Sequence, residues 1–282
     1  MAINSIFVVG AGTMGNGIAQ TAAVSGYQVT MMDVAEEYVQ RGKTTIQKSV
    51  EKLAEKGKLS AEQKAAALAI RDSTTHQDAA SADLIIEAAT ENPELKTKLF
   101  KDLDSVAKPE AILASNTSSI SITKLAAATG RAHKVIGMHF FNPVPIMTLL
   151  EVVRGEATSE ETLAAALAVG AQMGKTPVVV KDSPGFVSNR ILCPMINEAI
   201  LALDEGVADA EGIDMVMKLG MAHPIGPLAL ADLIGLDVVL FIMEVLHRDF
   251  SDDKYAPASL LRRMVAEGKL GRKSGKGFYE YK

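Results

Sequence analysis

The chain has 282 residues, 48% of them hydrophobic and 22% charged, an ordinary globular balance that excludes disordered, collagenous and low-complexity classes and leaves room for two domains. Its 29 basic and 34 acidic residues give a net charge of −5, which argues against a general nucleic-acid binder, because such a protein needs a basic surface to replace condensed counterions. Aromatic residues make up 5% and Trp is absent, so the core must be aliphatic.

At the N-terminus, the apolar run Ile6–Val9 is too short for a secretory segment and no basic region precedes it. Ser5–Val9 favours a strand, Met14–Ser25 has helical spacing, and Gln28–Met32 favours a strand again. The intervening Gly10-Ala11-Gly12-Thr13-Met14-Gly15 is a G-x-G-x-x-G, and Asp33 ends the second strand roughly 20 residues later, the spacing of a dinucleotide fingerprint. Gly10 permits the tight turn, Gly12 lets backbone approach a pyrophosphate, and Gly15 lets helix and strand pack closely. The N–H groups of Thr13 and Met14 at the helix start can meet the phosphates. Asp33 can accept from the adenosine ribose hydroxyls and would repel a 2′-phosphate. With no Arg before Arg41, NAD is favoured over NADP. The competing reading is a structural turn beside a surface Asp.

Glu36–Lys56 predicts a helix with a narrow apolar stripe (Tyr38, Ile46, Val50, Leu53), which should sit largely in solvent or project from the body. Lys48, Lys52 and Lys56 line one side of it near Ser49. This is either a solvated face or a local phosphate patch on an acidic protein. Further strands are predicted at Leu84–Glu87, Ile112–Ser115, Val135–Met138, Leu149–Val153 and Val178–Val180, with helices at Pro93–Val106 and Ser159–Met173. The alternation predicts an α/β fold, a Rossmann-type, doubly wound and mainly parallel sheet.

Ser115-Asn116-Thr117-Ser118-Ser119 follows a strand and precedes a helix around Ile122–Ala127. Helix capping is its plain role, but four hydroxyls and an amide exceed what one cap needs, and ligands bind at the carboxyl ends of such strands. His139-Phe140-Phe141-Asn142-Pro143-Val144-Pro145 comes straight after the strand Val135–Met138. Glu151 lies in the apolar run Leu149–Val153, where a carboxylate is costly unless paired. The Pro-bracketed loop could bring His139 and Glu151 together as a base and its orienting acid, the arrangement that proton abstraction from an alcohol requires. A core His and a separately paired Glu is the alternative.

The character changes at Lys181–Gly185. Only helical patterns follow: Phe186–Glu205, Glu211–Leu219, Leu228–Leu246 and Pro257–Glu267. The boundary is placed at Pro184, giving domains 1–184 and 185–282. Asn189 falls about one turn into the first of these helices, where it either lines a site or serves only the helix start. Cys193, the one cysteine, excludes an intrachain disulfide and fits a reduced, cytoplasmic setting; it sits mid-helix beside Pro194 as a buried thiol. Leu228–Leu246 carries Asp232, Asp237 and Glu244, so a buried helix pair is preferred to a membrane span. Lys269, Arg272, Lys273 and Lys276 form a basic C-terminal cluster. The scattered histidines offer no metal constellation.

Taken together, Gly10–Gly15, Ser115–Ser119, His139–Pro145, Asp182–Arg190 and the tail Gly271–Tyr279 resemble the 3-hydroxyacyl-CoA dehydrogenase family, in particular its short bacterial members acting on 3-hydroxybutyryl-CoA. The resemblance spans essentially the whole chain. It implies an N-terminal NAD-binding domain, a helical C-terminal domain used for substrate binding and homodimer formation, and an acyl-CoA substrate. Under it, His139 is the catalytic base, Glu151 its partner, and Ser118 and Asn189 polar groups at the reacting carbon. Asp33 matches the ribose-binding acid. Glu91, Lys96, Asn116, Ser118, Asn142 and Lys273 match positions near the nicotinamide half, and Ser49 and Lys56 positions contacting the coenzyme A portion. Thr148, where many relatives carry Lys, and Ala222, where Asn or Gly is common, depart from the pattern and bear on local contacts. A dehydrogenase of a free 3-hydroxy acid and a non-catalytic NADH-binding protein are the alternatives.

Overall fold

A computed structural model describes residues 2–281. The chain forms two units, Met1–Asp182 and Ser183–Lys282.

The first unit begins with β1 (Ser5–Val9), α1 (Thr13–Val24), β2 (Gln28–Met32) and α2 (Glu36–Glu55). Next come α3 (Ala61–Leu68), β3 (Arg71–Ser73), β4 (Leu84–Glu87), α4 (Pro93–Val106), β5 (Ile112–Ser115) and α5 (Ile122–Ala127). It closes with β6 (Val135–Phe140), β7 (Leu149–Arg154), α6 (Glu160–Gln172) and β8 (Thr176–Lys181). The eight strands form one sheet in the order β3-β2-β1-β4-β5-β6-β7-β8, the Rossmann-type order expected from the strand–helix alternation. All neighbouring pairs are parallel except β6–β7.

Strand residues are buried on both faces. Ile6, Val8, Leu84, Ile86, Ile136 and Met138 join a core with residues of α1, α2 and α6. The alternating Phe7, Ile85, Leu113 and Val135 are buried on the other side, together with Leu99, Phe100 and Leu103 of α4 and Ile122 and Leu125 of α5. Double-sided burial is why these strands read as continuous apolar runs. At about 25 cal/mol per Å² of apolar surface, each fully buried aliphatic side chain adds ~1.5–3 kcal/mol before entropy is charged against it.

Helix α2 does not project from the body. Val39, Gly42, Ile46 and Val50 are its buried stripe, and the helix packs on α1 and α3. A Cβ at Gly42 would lie 2.8 Å from the Ala11 carbonyl oxygen, so this glycine lets α2 lie against the glycine-rich turn. The stripe is as narrow as expected and most of the helix is exposed, but it runs through Val39 and Gly42 where the sequence suggested Tyr38 and Leu53.

The second unit contains α7 (Ser188–Asp204), α8 (Ala210–Gly220), α9 (Pro227–Ile234), α10 (Leu236–Phe250) and α11 (Ser259–Ala266). The run Leu228–Leu246 is indeed a helix pair: Gly235, at φ 105°, breaks it between α9 and α10. No helix among the described residues is long and apolar enough to cross a membrane. The core is aliphatic, with Ile196, Ile200, Leu228, Leu236, Val239 and Met243 among its members, and Cys193 buried with them. Asp232, also buried, accepts from the backbone N–H groups of Phe278 and Tyr279 and from the Tyr281 hydroxyl, so the Gly-rich tail is clasped onto α9. Gly277 is obligatory there, since a Cβ would overlap the Asp232 carboxylate.

Candidate active site

Because β1, β4, β5 and β6 run parallel, their carboxyl ends lie along one edge of the sheet. That edge carries the glycine-rich turn, Glu87, Ser115 and His139. Gly10 adopts φ 101° and donates its N–H to the Met32 carbonyl at 2.7 Å, closing the turn between β1 and β2. A Cβ at Gly15 would sit 1.7 Å from the Gly10 carbonyl oxygen, so no other residue fits there. Gly12 and Thr13 are exposed, α1 has no side-chain N-cap, and nothing lies within 4 Å of a Cβ at Gly12. A ligand phosphate can therefore come close to the backbone and meet helix-start N–H groups.

Asp33 Oδ2 accepts from Ala11 N–H at 2.8 Å, while Oδ1 accepts from Val34 N–H. The carboxylate thus orders the turn and also lines an adjoining cavity of about 490 Å³ with Gly12, Tyr38, Arg41, Thr45 and Thr90. The Arg41 guanidinium stacks 4.6 Å from the Tyr38 ring centroid. Arg41, the first arginine after Asp33 in the chain, is thus returned by helix α2 to the cavity that Asp33 lines. The sequence signal for this was the spacing of Tyr38, Arg41 and Thr45 along one helical face.

His139 and Glu151 are direct cross-strand partners in the antiparallel β6–β7 pair. Their side chains therefore emerge on the same face, and His139 Nδ1 lies 2.8 Å from Glu151 Oε2. Both are buried, His139 at 7% and Glu151 at 3% exposure. His139 is inside the strand, which extends to Phe140, rather than beyond it, and it is strand register rather than the Pro-bracketed loop that joins the pair. The Phe141 ring packs against the imidazole, its centroid 4.6 Å away. Two residues before His139, Gly137 faces Val153 and Ile122, where a Cβ would be too close. That puts the His–Glu pair on the face of the sheet covered by α5.

The loop leading into α5 is held from two directions. Asp182 Oδ2 accepts from the Ser121 hydroxyl and Thr123 N–H. Glu91 Oε1 accepts from Thr117 Oγ1 at 2.5 Å, Ser119 Oγ at 2.9 Å, Ser118 N–H at 3.0 Å and Ser119 N–H at 3.2 Å. Burial opposes the charged form of Glu91. The Lys96 ammonium and the bonds from Thr117, Ser119 and Ser118 outweigh it and hold the carboxyl below the usual range. Lys96 is 1% exposed and pairs with Glu87 at 2.6 Å and Glu91 at 3.3 Å. Glu87, at 0% exposure, also accepts from Ser115 Oγ. Sequence reading passed over Glu87, although it ends an apolar strand as conspicuously as Glu151 interrupts one. Asn116 turns its Oδ1 to the Phe140 N–H, tying the loop to the residue after His139.

Other expected positions are more dispersed. Asn142 is exposed in the loop after β6. That loop is fastened by the buried Lys175, which donates to the Val144 and Met147 carbonyls. Lys48, Lys52 and Lys56 are exposed along α2, Lys56 as its C-cap, with Ser49 half-buried. In the helical unit, Asn189 is in the first turn of α7. Lys273 is exposed and bonded to Asp237. The described residues contain no cluster of three or more His, Cys, Asp or Glu suited to a metal.

Residues 5–183 match the family model described as 3-hydroxyacyl-CoA dehydrogenase, NAD binding domain, and residues 185–281 match its C-terminal domain. The chain belongs to the 3-hydroxyacyl-CoA dehydrogenase family. A probable 3-hydroxybutyryl-CoA dehydrogenase of Deinococcus radiodurans is 57% identical over 97% of this chain and 99% of its own. The 3-hydroxybutyryl-CoA dehydrogenase of Bradyrhizobium diazoefficiens is 50% identical over 99% and 96%. The crystal structure of (S)-3-hydroxybutyryl-CoA dehydrogenase from Ralstonia eutropha superposes with a TM-score of 0.97 at 57% identity, covering all of both chains. Within this family the cofactor is NAD, and the open Gly12 backbone, uncapped α1 and Asp33 cavity fit it.

Proposed function

We propose that the protein interconverts (S)-3-hydroxybutyryl-CoA and acetoacetyl-CoA, using NAD and the His139–Glu151 pair as general base and acid. The observation that carries this reading is the 2.8 Å contact between Nδ1 of a buried imidazole and a buried carboxylate in strand register. With Nδ1–H given to Glu151, Nε2 is the nitrogen that takes the 3-hydroxyl proton. Glu151 fixes this tautomer and stabilises the imidazolium that results. Bound NAD supplies the acceptor for the C3 hydride. Ser118 steadies the oxygen as it becomes a carbonyl. Asn189 is proposed as a second donor to it, a role resting on family resemblance. In the reverse direction protonated His139 returns the proton, so acid favours reduction.

Glycine-rich turn residues Gly10, Gly12, Thr13, Met14 and Gly15, with Asp33, are proposed to hold the adenosine and pyrophosphate. Glu91, Asn116, Asn142 and Lys273 are proposed to serve the nicotinamide half, and Ser49 and Lys56 the coenzyme A portion. We place residues 1–184 as the cofactor domain and 185–282 as the helical substrate and dimerisation domain of a cytoplasmic homodimer. Exposed Val207, Met215, Val216, Leu219 and Met221 support self-association of the helical unit.

The test is NADH consumption with acetoacetyl-CoA against free acetoacetate. Turnover of the thioester with little of the free acid is expected. Equal rates would point to a free-acid dehydrogenase, and no turnover of either would leave an NADH-binding protein.

A further inference from the structure

One buried cation belongs to neither the His139–Glu151 pair nor the Glu91 cluster. Lys175, between α6 and β8, is 9% exposed. No carboxylate among the described residues pairs with it, and burial alone acts on the ammonium, pulling it below the usual lysine range. A buried ammonium without a counter-charge is costly, so its hydrogen-bond partners carry the explanation. They are the carbonyls of Val144 and Met147, the latter at 2.8 Å. No backbone N–H among the described residues is bonded to either oxygen. The Lys175 backbone is pinned as well. Its N–H donates to the Gly170 carbonyl, and the next residue, Thr176, donates to the Thr148 carbonyl and stands in register with Leu149 at the start of β7. From the base of the β7–β8 pair, the ammonium thus reaches into the turn that joins β6 to β7.

That turn is built on Pro143, whose carbonyl accepts from the Ile146 and Met147 N–H groups. Ahead of it stand Phe141, packed on the His139 ring, and Asn142, proposed for the nicotinamide half. Its middle rests on α1, the helix that the glycine-rich turn opens. Val144 is 1% exposed, and its Cβ lies 3.0 Å from where a Cβ at Gly17 would stand. Beyond Met147 the chain passes through Thr148 into β7, which carries Glu151. Lys175 therefore grips the turn at the residue that meets α1 and again where the chain heads into β7. We propose that Lys175 is a positioning residue of the dehydrogenase reaction, a role that rests on the proposed reaction and deepens it. By holding residues 143–147 down on α1, it sets Phe141 and Asn142 relative to His139 and the bound cofactor.

Lys175→Met keeps the stem and removes the N–H donors. In the folded enzyme, kcat for acetoacetyl-CoA reduction at saturating NADH should fall ~10–100-fold, the scale of a displacement of up to an ångström, while the KM for acetoacetyl-CoA stays within about threefold. A lysine that only stabilised the fold would lower the melting temperature and leave the kcat of folded protein at its wild-type value, and that result would overturn the proposal. Gly17→Ala pushes on the same turn from the opposite side, since the new Cβ crowds Val144 by a few tenths of an ångström. A loss of kcat of ~3–10-fold is expected, with the NADH Kd from nicotinamide fluorescence within about threefold. Added to Lys175→Met, it should cost no more than about twofold further, because a released turn can give way. Losses that multiply would put the two residues on separate paths and overturn the proposal. If Lys175→Met does not fold, wild-type kcat in Gly17→Ala overturns it alone. A wild-type protein that turns over neither acetoacetyl-CoA nor acetoacetate would defeat the reading of the reaction, and this role with it.

Discussion

Two buried carboxylates, Glu87 at the end of β4 and Glu151 within β7, have partners that differ in one property. In the parallel region Glu87 meets Lys96, an amine-bearing side chain that only donates, with Ser115 opposite in register. In the antiparallel region Glu151 meets His139, an imidazole with two ring nitrogens. Both partnerships satisfy the carboxylate. A donor-only partner fixes geometry, whereas an imidazole bonded to a carboxylate through one nitrogen has a second that can pass a proton on. The difference between scaffold and reagent here comes from the partner, not from the acid.

Breaking the reagent pair should have the largest effect. His139→Gln is expected to lower kcat by about 10²–10⁴-fold while NADH binding stays within a few-fold, as steady-state rates beside fluorescence titration would register. Breaking the scaffold pair should act on folding as well. Lys96→Met strands two carboxylates and should cost about 3–5 kcal/mol in urea unfolding. The surface pair Lys43–Asp72, with side chains about a third exposed, should be worth under about 1 kcal/mol when Lys43 is replaced by Met. Equal costs for the two lysines would undo the contrast.

Glu151→Gln keeps an acceptor for Nδ1–H but loses the charge that stabilises the imidazolium. A kcat loss of about 10–100-fold with a normal melting temperature is expected, and unchanged kcat would make Glu151 scaffold like Glu87. At the glycine-rich turn, Asp33→Ala removes the proposed ribose acceptor and a carboxylate that lines the same cavity as Arg41. The NAD Kd should rise about tenfold and the preference over NADP narrow; an unchanged ratio of the two Kd values would separate Asp33 from the ribose. Smallest in consequence is Cys193, whose thiol burial pushes up to about 12. A group raised in this way stays a thiol throughout the neutral range, so alkylation at pH 8 should be far slower in the native protein than in urea.

Much of the fold could be read along the chain because it depends on local rules. The strand, Gly10–Gly15 and helix succession needs only nearest neighbours, and the α9–α10 pair was foreshadowed by the carboxylates of Leu228–Leu246. Short elements escaped: α3 and β3 have too few residues for a periodic signal. The site was legible wherever a residue contradicted its surroundings, as Glu151 does in Leu149–Val153. Glu87 gave the same signal at a strand's end, where polarity is ordinary, and so passed unnoticed. Its meaning depends on Lys96, which looks like one more helix-surface lysine until α4 is packed.

By itself, the sequence determined a parallel α/β unit followed by a helical one, a dinucleotide turn with an acid at the ribose distance, and a short set of candidate residues. These follow from periodicity and backbone conformation, which act over a few residues. The tertiary structure alone decided that β6 and β7 are antiparallel, that His139 and Glu151 are therefore opposite each other, and that Lys96 is buried against Glu87 and Glu91. It also decided that Arg41 returns to the cavity beside Asp33. Contacts of this kind join residues distant along the chain, and strand direction and helix packing, which no local pattern encodes, determine which side chains meet.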